Sequence, residues 1–541
     1  MSSSPSLATI NTDGSGFGPL SGFEDARDAR LVTMANYPQA LGVSGALAQP
    51  LASAIALTRA GGRQRQLVLL GGSGEPPRVL LGVAHDCLLE VVHHAAGRVV
   101  SRCSLGEKLV VGSVDNVPFF DGRLARVVAM PGGEISSLID ISGDHAVVRA
   151  LVQGQGATPA RYLLDLRAPR ALVPFPAPTL PNASGATLDA EQALARDSAA
   201  VALWVHGRRH TDGVRVAALY LLSPADPPRR ISAVTPVSSH TGDIALSPDG
   251  RQIAYNIDDR VRLARSDGSA PVDFSDRFWI RDGLTAAFSL VGFATNDVLL
   301  LRASVAGKQG HLYAYDTARD EIFSLSRGGG AWHNIEDEAN ISEIWVDGDV
   351  VYFVSWESGR RVLWAYDLAR DKRFIISRGV LAQPDAPRRM VRCASTLFFS
   401  SRDADSPDGI YQLHALDLTE PPRSLDVDAT ALARQLTTLS GLASRTLMNI
   451  QPTPACAHVA AINGEQSPSK HTIVFGPRDG PVVPIYEHPR NMRQLLVSDD
   501  GRVIVFRDAR GVYALAPQPG ATPQPITPPG GRRIETIVGF R

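Results

Sequence analysis

The sequence predicts an all-β chain of the β-propeller class: four-stranded antiparallel blades, about 8–10 blade-like repeats in one ring, closed by N- and C-terminal strands sharing a blade. Three observations predict it. Residues 312–328, "LYAYDTARDEIFSLSRG", return 51 residues later as "LWAYDLARDKRFIISRG" over 363–379. Looser copies of that phrase divide the chain into units of about 41 to 58 residues, the spacing at which four short strands and their turns repeat. No long helical pattern competes, since the most helix-like stretches, 188–200 and 428–443, are short and fall between units.

Each unit has the same order. A first apolar strand ends in a tight polar turn, as in "IALSPDG" (244–250), "IWVDGD" (344–349), "LLVSDDG" (495–501) and "LIDISGD" (138–144). Asp or Asn beside Gly suits the positive φ of such turns. Second strands follow, rich in β-branched and aromatic residues: "RQIAYNI", "DVVYFVSW", "RVIVFRD" and "HAVVRALV". The repeated phrase is a third strand, an Asp-led turn and a fourth strand, so Asp316 and Asp367 read as turn formers rather than catalytic acids. First strands are expected near 137, 193, 243, 288, 343, 390, 448 and 495, with a weaker unit over 87–132. The closing "RRIETIVGFR" reads as one more first strand, with "SAIALTRA", "RQLVLLGG" and "PPRVLLGV" (53–84) as its second, third and fourth. A shared blade of that kind leaves no strand edge exposed. Residues 1–30 are expected to be a flexible lead and 31–541 the propeller, best defined over 137–541.

"IALSPDGRQIAYNIDDRVRLARSDGS", "LLVSDDGRVIVFRDARGVYAL" and "IWVDGDVVYFVSWESGRRVLWAYDLARD" resemble the repeat of the TolB and tricorn type of propeller, in which an apolar strand, "SPDG" and "IAY" follow one another. The resemblance is specific over 243–515, looser over 137–242 and weak before that. It implies a platform that binds proteins, or a gate fused to a peptidase domain. The α/β-hydrolase nucleophile elbow that a peptidase of the prolyl-oligopeptidase kind carries is not found, because "GVSGAL" and "GGSGE" lack its spacing.

Composition narrows the function classes. Lys+Arg 54 against Asp+Glu 55 leave a net charge of −1, which supplies no field for nucleic acid or an anionic membrane. The run "ALGVSGALAQPLASAIALTRA" is too broken by Gly, Gln, Pro and Ser to span a bilayer. No basic stretch and apolar core form a secretory leader, so a cytoplasmic protein is expected. Cys87, Cys103, Cys393 and Cys456 show no CxxC spacing and read as small buried apolar residues of a reducing compartment. His206 and His210 have ligand spacing only on a helix, and in a strand entering a loop they read as exposed loop histidines. No metal or cofactor is expected.

In a propeller, connections into first strands and second-to-third-strand hairpins share one face. Here they hold "SDRFWIRDG", "GGGAWHNIEDEAN", "SWESGRR", "VLAQPDAPRR" and "YEHPRNMR". Trp beside charge marks binding surfaces. The candidate partner-binding residues are Trp279, Trp332, His333, Glu336, Asp337, Glu338, Trp356, Glu357, Arg360 and Arg361. Trp279 and Trp332 can equally plug gaps between blades, and "IEDE" reads as a solvated acidic loop, the lesser alternative being a hard-cation ligand set of Glu336, Asp337 and Glu338. The expected function is a non-enzymatic scaffold for a protein or peptide partner. The alternatives are a propeller enzyme with His333, Glu336 and Glu357 as acid and base at the channel mouth, and a structural component of a larger assembly.

Overall fold

A computed structural model of the chain describes strand backbone from Ala8 onward and, with side chains, most of 98–526. The main stretches outside the described residues are 1–7, 33–46, 275–285, 327–340, 379–389, 403–410, 420–435, 439–445, 465–470 and 527–541. Among the described residues the strands form ten sheets of four or five strands, beside a short pair of Ala8–Thr9 with Gly18–Pro19. In chain order, sheets 1 to 10 span 27–84, 89–129, 133–174, 183–236, 241–273, 286–324, 343–378, 390–438, 446–488 and 494–526. Neighbouring strands in each sheet are antiparallel, with one exception in sheet 8.

The first strands adjoin in succession. Arg27–Val32 lies against Leu89–Ala95, which lies against Gly133–Ser142, followed by Ala183–Leu194, Thr241–Leu246 and Ala286–Phe293. The series resumes from Met390–Cys393 to Thr446–Pro452 and Gln494–Val497. Among the described side chains, one apolar layer fills each junction from sheets 2 and 3 to sheets 9 and 10: Trp204 and Leu219 of sheet 4 meet Ile253 and Tyr255 of sheet 5, and Leu300 and Leu312 of sheet 6 meet Phe353 and Trp364 of sheet 7. Because side chains alternate along a strand, Leu299 and Leu301 pack toward sheet 5 while Leu300 packs toward sheet 7. Burial on both faces explains the continuous apolar runs of the second strands. The far face of sheet 10 is buried as well, through Val505, Val512, Ala514 and Ile526.

The repeated phrase builds one turn twice. Asp316 Oδ1 accepts the N–H groups of Ala318 (2.9 Å) and Arg319 (3.0 Å), and Asp367 Oδ1 accepts that of Arg370 at 3.1 Å. Tyr315 donates to Asp320 and Tyr366 to Asp371, and both of these aspartates take positive φ, 60° and 54°. The aspartates are turn formers, as their position in the sequence predicts.

Four expectations are corrected. The first-strand position of sheet 1 is held by Arg27–Val32, paired antiparallel with Ala54–Gly61, and not by the C-terminal strand. "RRIETIVGFR" itself lies outside the described residues. The helix-like 188–200 stretch belongs largely to the strand Ala183–Leu194, whose register shifts between Ser184 and Thr187 and between Leu188 and Gln192 erase the two-residue period. His206 is buried at 5% exposure inside Val201–Arg209, whereas His210 is exposed. Cys393 and Cys456 are not separate apolar residues but a disulfide, with Cα atoms 5.8 Å apart.

One pairing has no counterpart in the repeat. Leu47–Ala48 runs parallel to Met390–Val391 on the first-strand edge of sheet 8. Among the described residues no helix is long and apolar enough to cross a membrane.

Candidate functional site

Antiparallel succession sorts the connections onto two faces. Second-to-third-strand hairpins and the links into the next first strand fall on one, the loop-rich face. First-to-second and third-to-fourth turns fall on the other, the turn face.

On the loop-rich face the hairpin of sheet 7 is the described part of the candidate site. The strands Val350–Glu357 and Arg360–Asp367 pair so that Trp356 stands opposite Arg361 and Glu357 opposite Arg360. The backbone register thus brings Trp356, Glu357, Arg360 and Arg361 to one hairpin end. The hairpin is rooted just below its tip, where the Trp364 indole N–H donates to the buried Ser355 hydroxyl at 2.9 Å. The Arg373 guanidinium lies 4.1 Å above the Trp364 ring, a cation–π contact that covers the indole. Trp279, Trp332, His333, Glu336, Asp337 and Glu338 lie outside the described residues.

A second cluster on this face joins sheets 9 and 10. His471 begins a third strand, His488 ends the fourth strand, and Asp508 follows the second strand of sheet 10; their exposures are 6%, 6% and 2%. His488 Nε2 lies 3.1 Å from Asp508 Oδ2 and Nδ1 lies 3.2 Å from the Tyr486 hydroxyl. A carboxylate only accepts, so Nε2–H donates to Asp508. The other carboxylate oxygen of Asp508 accepts the N–H groups of Arg510 and Gly511, both at 2.8 Å, which fixes the hairpin turn. His471 Nδ1 accepts the Met492 N–H at 3.0 Å and therefore carries no proton there. Burial, and then the neighbouring His488, push the His471 pKa below its ordinary value. Tyr486 is pushed up by burial, with Tyr513 and Asp508 adding to it, so its phenol stays protonated.

This network ties the link through Met492 to the hairpin after Arg507. The sequence marks "YEHPRNMR" as a loop of this face but gives no sign of the His488–Asp508 pair. The two residues are 20 apart and meet only through the packing of two sheets. Among the described residues no three His, Cys, Asp or Glu side chains are grouped to hold a metal ion.

The turn face is more uniform. Ser247 donates to Asp249 at 2.6 Å and accepts the Gln252 N–H at 2.9 Å. Ser498 does the same with Asp500 at 2.7 Å and Val503 at 2.9 Å. The Arg502 backbone N–H and the Ser498 hydroxyl hold the Asp500 carboxyl below its ordinary value. Turn chemistry thus uses the polar groups of "SPDG" and "SDDG" locally.

No family model and no curated protein matches the chain. Among solved structures it is similar to the crystal structure of the tricorn protease, at 12% identity and a TM-score of 0.21, over 88% of this chain and 58% of that one. The chain spans 58% of that protein's length. A superposition this loose carries no activity across, and the assignment of a propeller-like, all-β architecture rests on the sheets themselves.

Proposed function

We propose that the chain is a β-propeller of the TolB and tricorn type that binds a protein or peptide partner on its loop-rich face. Its support is the asymmetry between faces. The turn face uses its carboxylates inside its own turns, whereas the loop-rich face concentrates Trp356, Glu357, Arg360 and Arg361 at one hairpin end. The buried far face of sheet 10 fits a ring in which the last sheet is also covered. In the sequence Trp279 and 332–338 precede the first strands of sheets 6 and 7, and we assign them to the same partner-binding region on that order alone. A rim of aromatics among mixed charges suits a partner with apolar anchors and polar surroundings. Affinity purification of the intact chain followed by mass spectrometry tests this. A stoichiometric partner is expected, and recovery of the chain alone at every salt concentration would contradict it.

A further inference from the structure

On the turn face, first hairpins of successive sheets touch one another. The turn of sheet 5 reaches back to sheet 4, where a Cβ on Gly250 would meet Ser198 and Ala195. It reaches forward to sheet 6, whose first hairpin supplies the Asn296 side chain to accept the Asp249 N–H at 3.0 Å and the Asn296 carbonyl to accept Gln252 Nε2 at 2.9 Å. The turn of sheet 10 lies against His458 of sheet 9, 3.2 Å from where a Gly501 Cβ would sit.

At the junction of sheets 8 and 9 this contact is covalent. Cys393 ends the first strand of sheet 8, Met390–Cys393, and Cys456 occupies the first hairpin of sheet 9 at a φ of 57°. Both are buried, at 2% and 4% exposure, under an apolar layer that includes Val391, Phe398, Leu413, Ile450 and Val459. The bond links residues 63 apart. Disulfides persist in oxidising compartments and are rare in reducing ones.

We propose that Cys393 and Cys456 form a clasp installed by disulfide exchange, and that the chain matures in an oxidising compartment. The two thiols lose two protons and two electrons to the disulfide of a dithiol–disulfide exchange protein, whose S–S bond becomes two thiols. A thiolate of this chain first attacks that disulfide and the second thiolate resolves the mixed disulfide. Each sulfur must be reachable for this, and in the folded chain neither is. The exchange therefore precedes the packing of sheet 8 on sheet 9, and the packed clasp is closed to soluble thiols.

The test uses the protein from the cells that make it, alkylated with N-ethylmaleimide at lysis and mapped by mass spectrometry without reduction. A peptide linking Cys393 to Cys456 is expected in nearly all copies; alkylation of both residues in most copies would overturn the proposal. Dithiothreitol should leave the link intact in the native protein and break it in denaturant, and equal rates in the two conditions would overturn the closed clasp. The Cys393→Ala/Cys456→Ala variant should melt a few degrees lower than the oxidised protein, and an unchanged midpoint would show that the bond restrains nothing. Should that variant not fold, the alkylation map decides alone.

Discussion

The phenol of Tyr315 donates to Asp320 Oδ1 at 2.6 Å across the turn from third to fourth strand, and Tyr366 with Asp371 repeats the relationship. The tyrosine and the second aspartate of "YDTARD" and "YDLARD" are thereby a pair: the phenol holds the carboxylate of a residue at positive φ. This is what the doubled phrase encodes.

Removing one phenol isolates its hydrogen bond. Tyr366→Phe should cost about 1 kcal/mol of stability, the usual net value of such a bond. Asp371→Ala should cost more, since it loses the bond and leaves a Cβ residue without local compensation at a φ of 54°. Asp371→Asn should fall between, because Asn accepts the bond and tolerates that backbone. Denaturant titration of the three variants checks the order.

The contact between turns predicts a difference between two glycines of similar backbone. Gly250 and Gly348 have φ of 74° and 58°, so alanine at either is strained. A Cβ at Gly250 would come within 2.5 Å of Ser198 Oγ, whereas nothing lies within 4 Å at Gly348. Gly250→Ala should therefore destabilise more than Gly348→Ala, measured by thermal unfolding. Equal losses would mean that the first hairpins of sheets 4 and 5 do not touch.

How much of this could be read beforehand depended on burial and on sequence distance. The first strands at 241, 286, 343 and 494 stood out because each ends in an Asp–Gly or Asn turn and is followed by a continuously apolar second strand. The first strand expected near 193 begins instead at Ala183, because two bulges break its alternation and "LDAEQAL" carries helix-favouring residues. Arg27–Val32, "RDARLV", has too short an apolar end to announce a first strand. Cys393 with Cys456, and His488 with Asp508, leave no local trace, since each pair is assembled by neighbouring sheets. Of the candidate face, the sequence placed Trp356, Glu357, Arg360 and Arg361 on one hairpin, and the strand register agrees.

His471 sets a pH dependence. Its folded pKa is lowered from 6.5, so below that pH the unfolded chain binds a proton that the folded chain refuses. Its contribution to stability is full above about pH 6.5, falls as pH drops toward the lowered folded value, and levels off below it. Protonation would also break the bond from Met492 to Nδ1. Unfolding midpoints between about pH 5 and 8 should fall on the acid side, and His471→Gln should flatten that slope. An unchanged slope would assign it to another group.

The most direct test of a binding face compares capture of the partner by variants of opposite faces, with unfolding midpoints measured alongside. Trp356→Ala should weaken capture by roughly 30-fold, the equivalent of an anchor worth about 2 kcal/mol, while the midpoint moves little. Glu357→Gln should weaken capture chiefly at low salt, and Asp249→Ala with Asp500→Ala should spare capture even as it costs stability. Undiminished capture by Trp356→Ala, or loss of capture by the turn-face pair at an unchanged midpoint, would contradict the account.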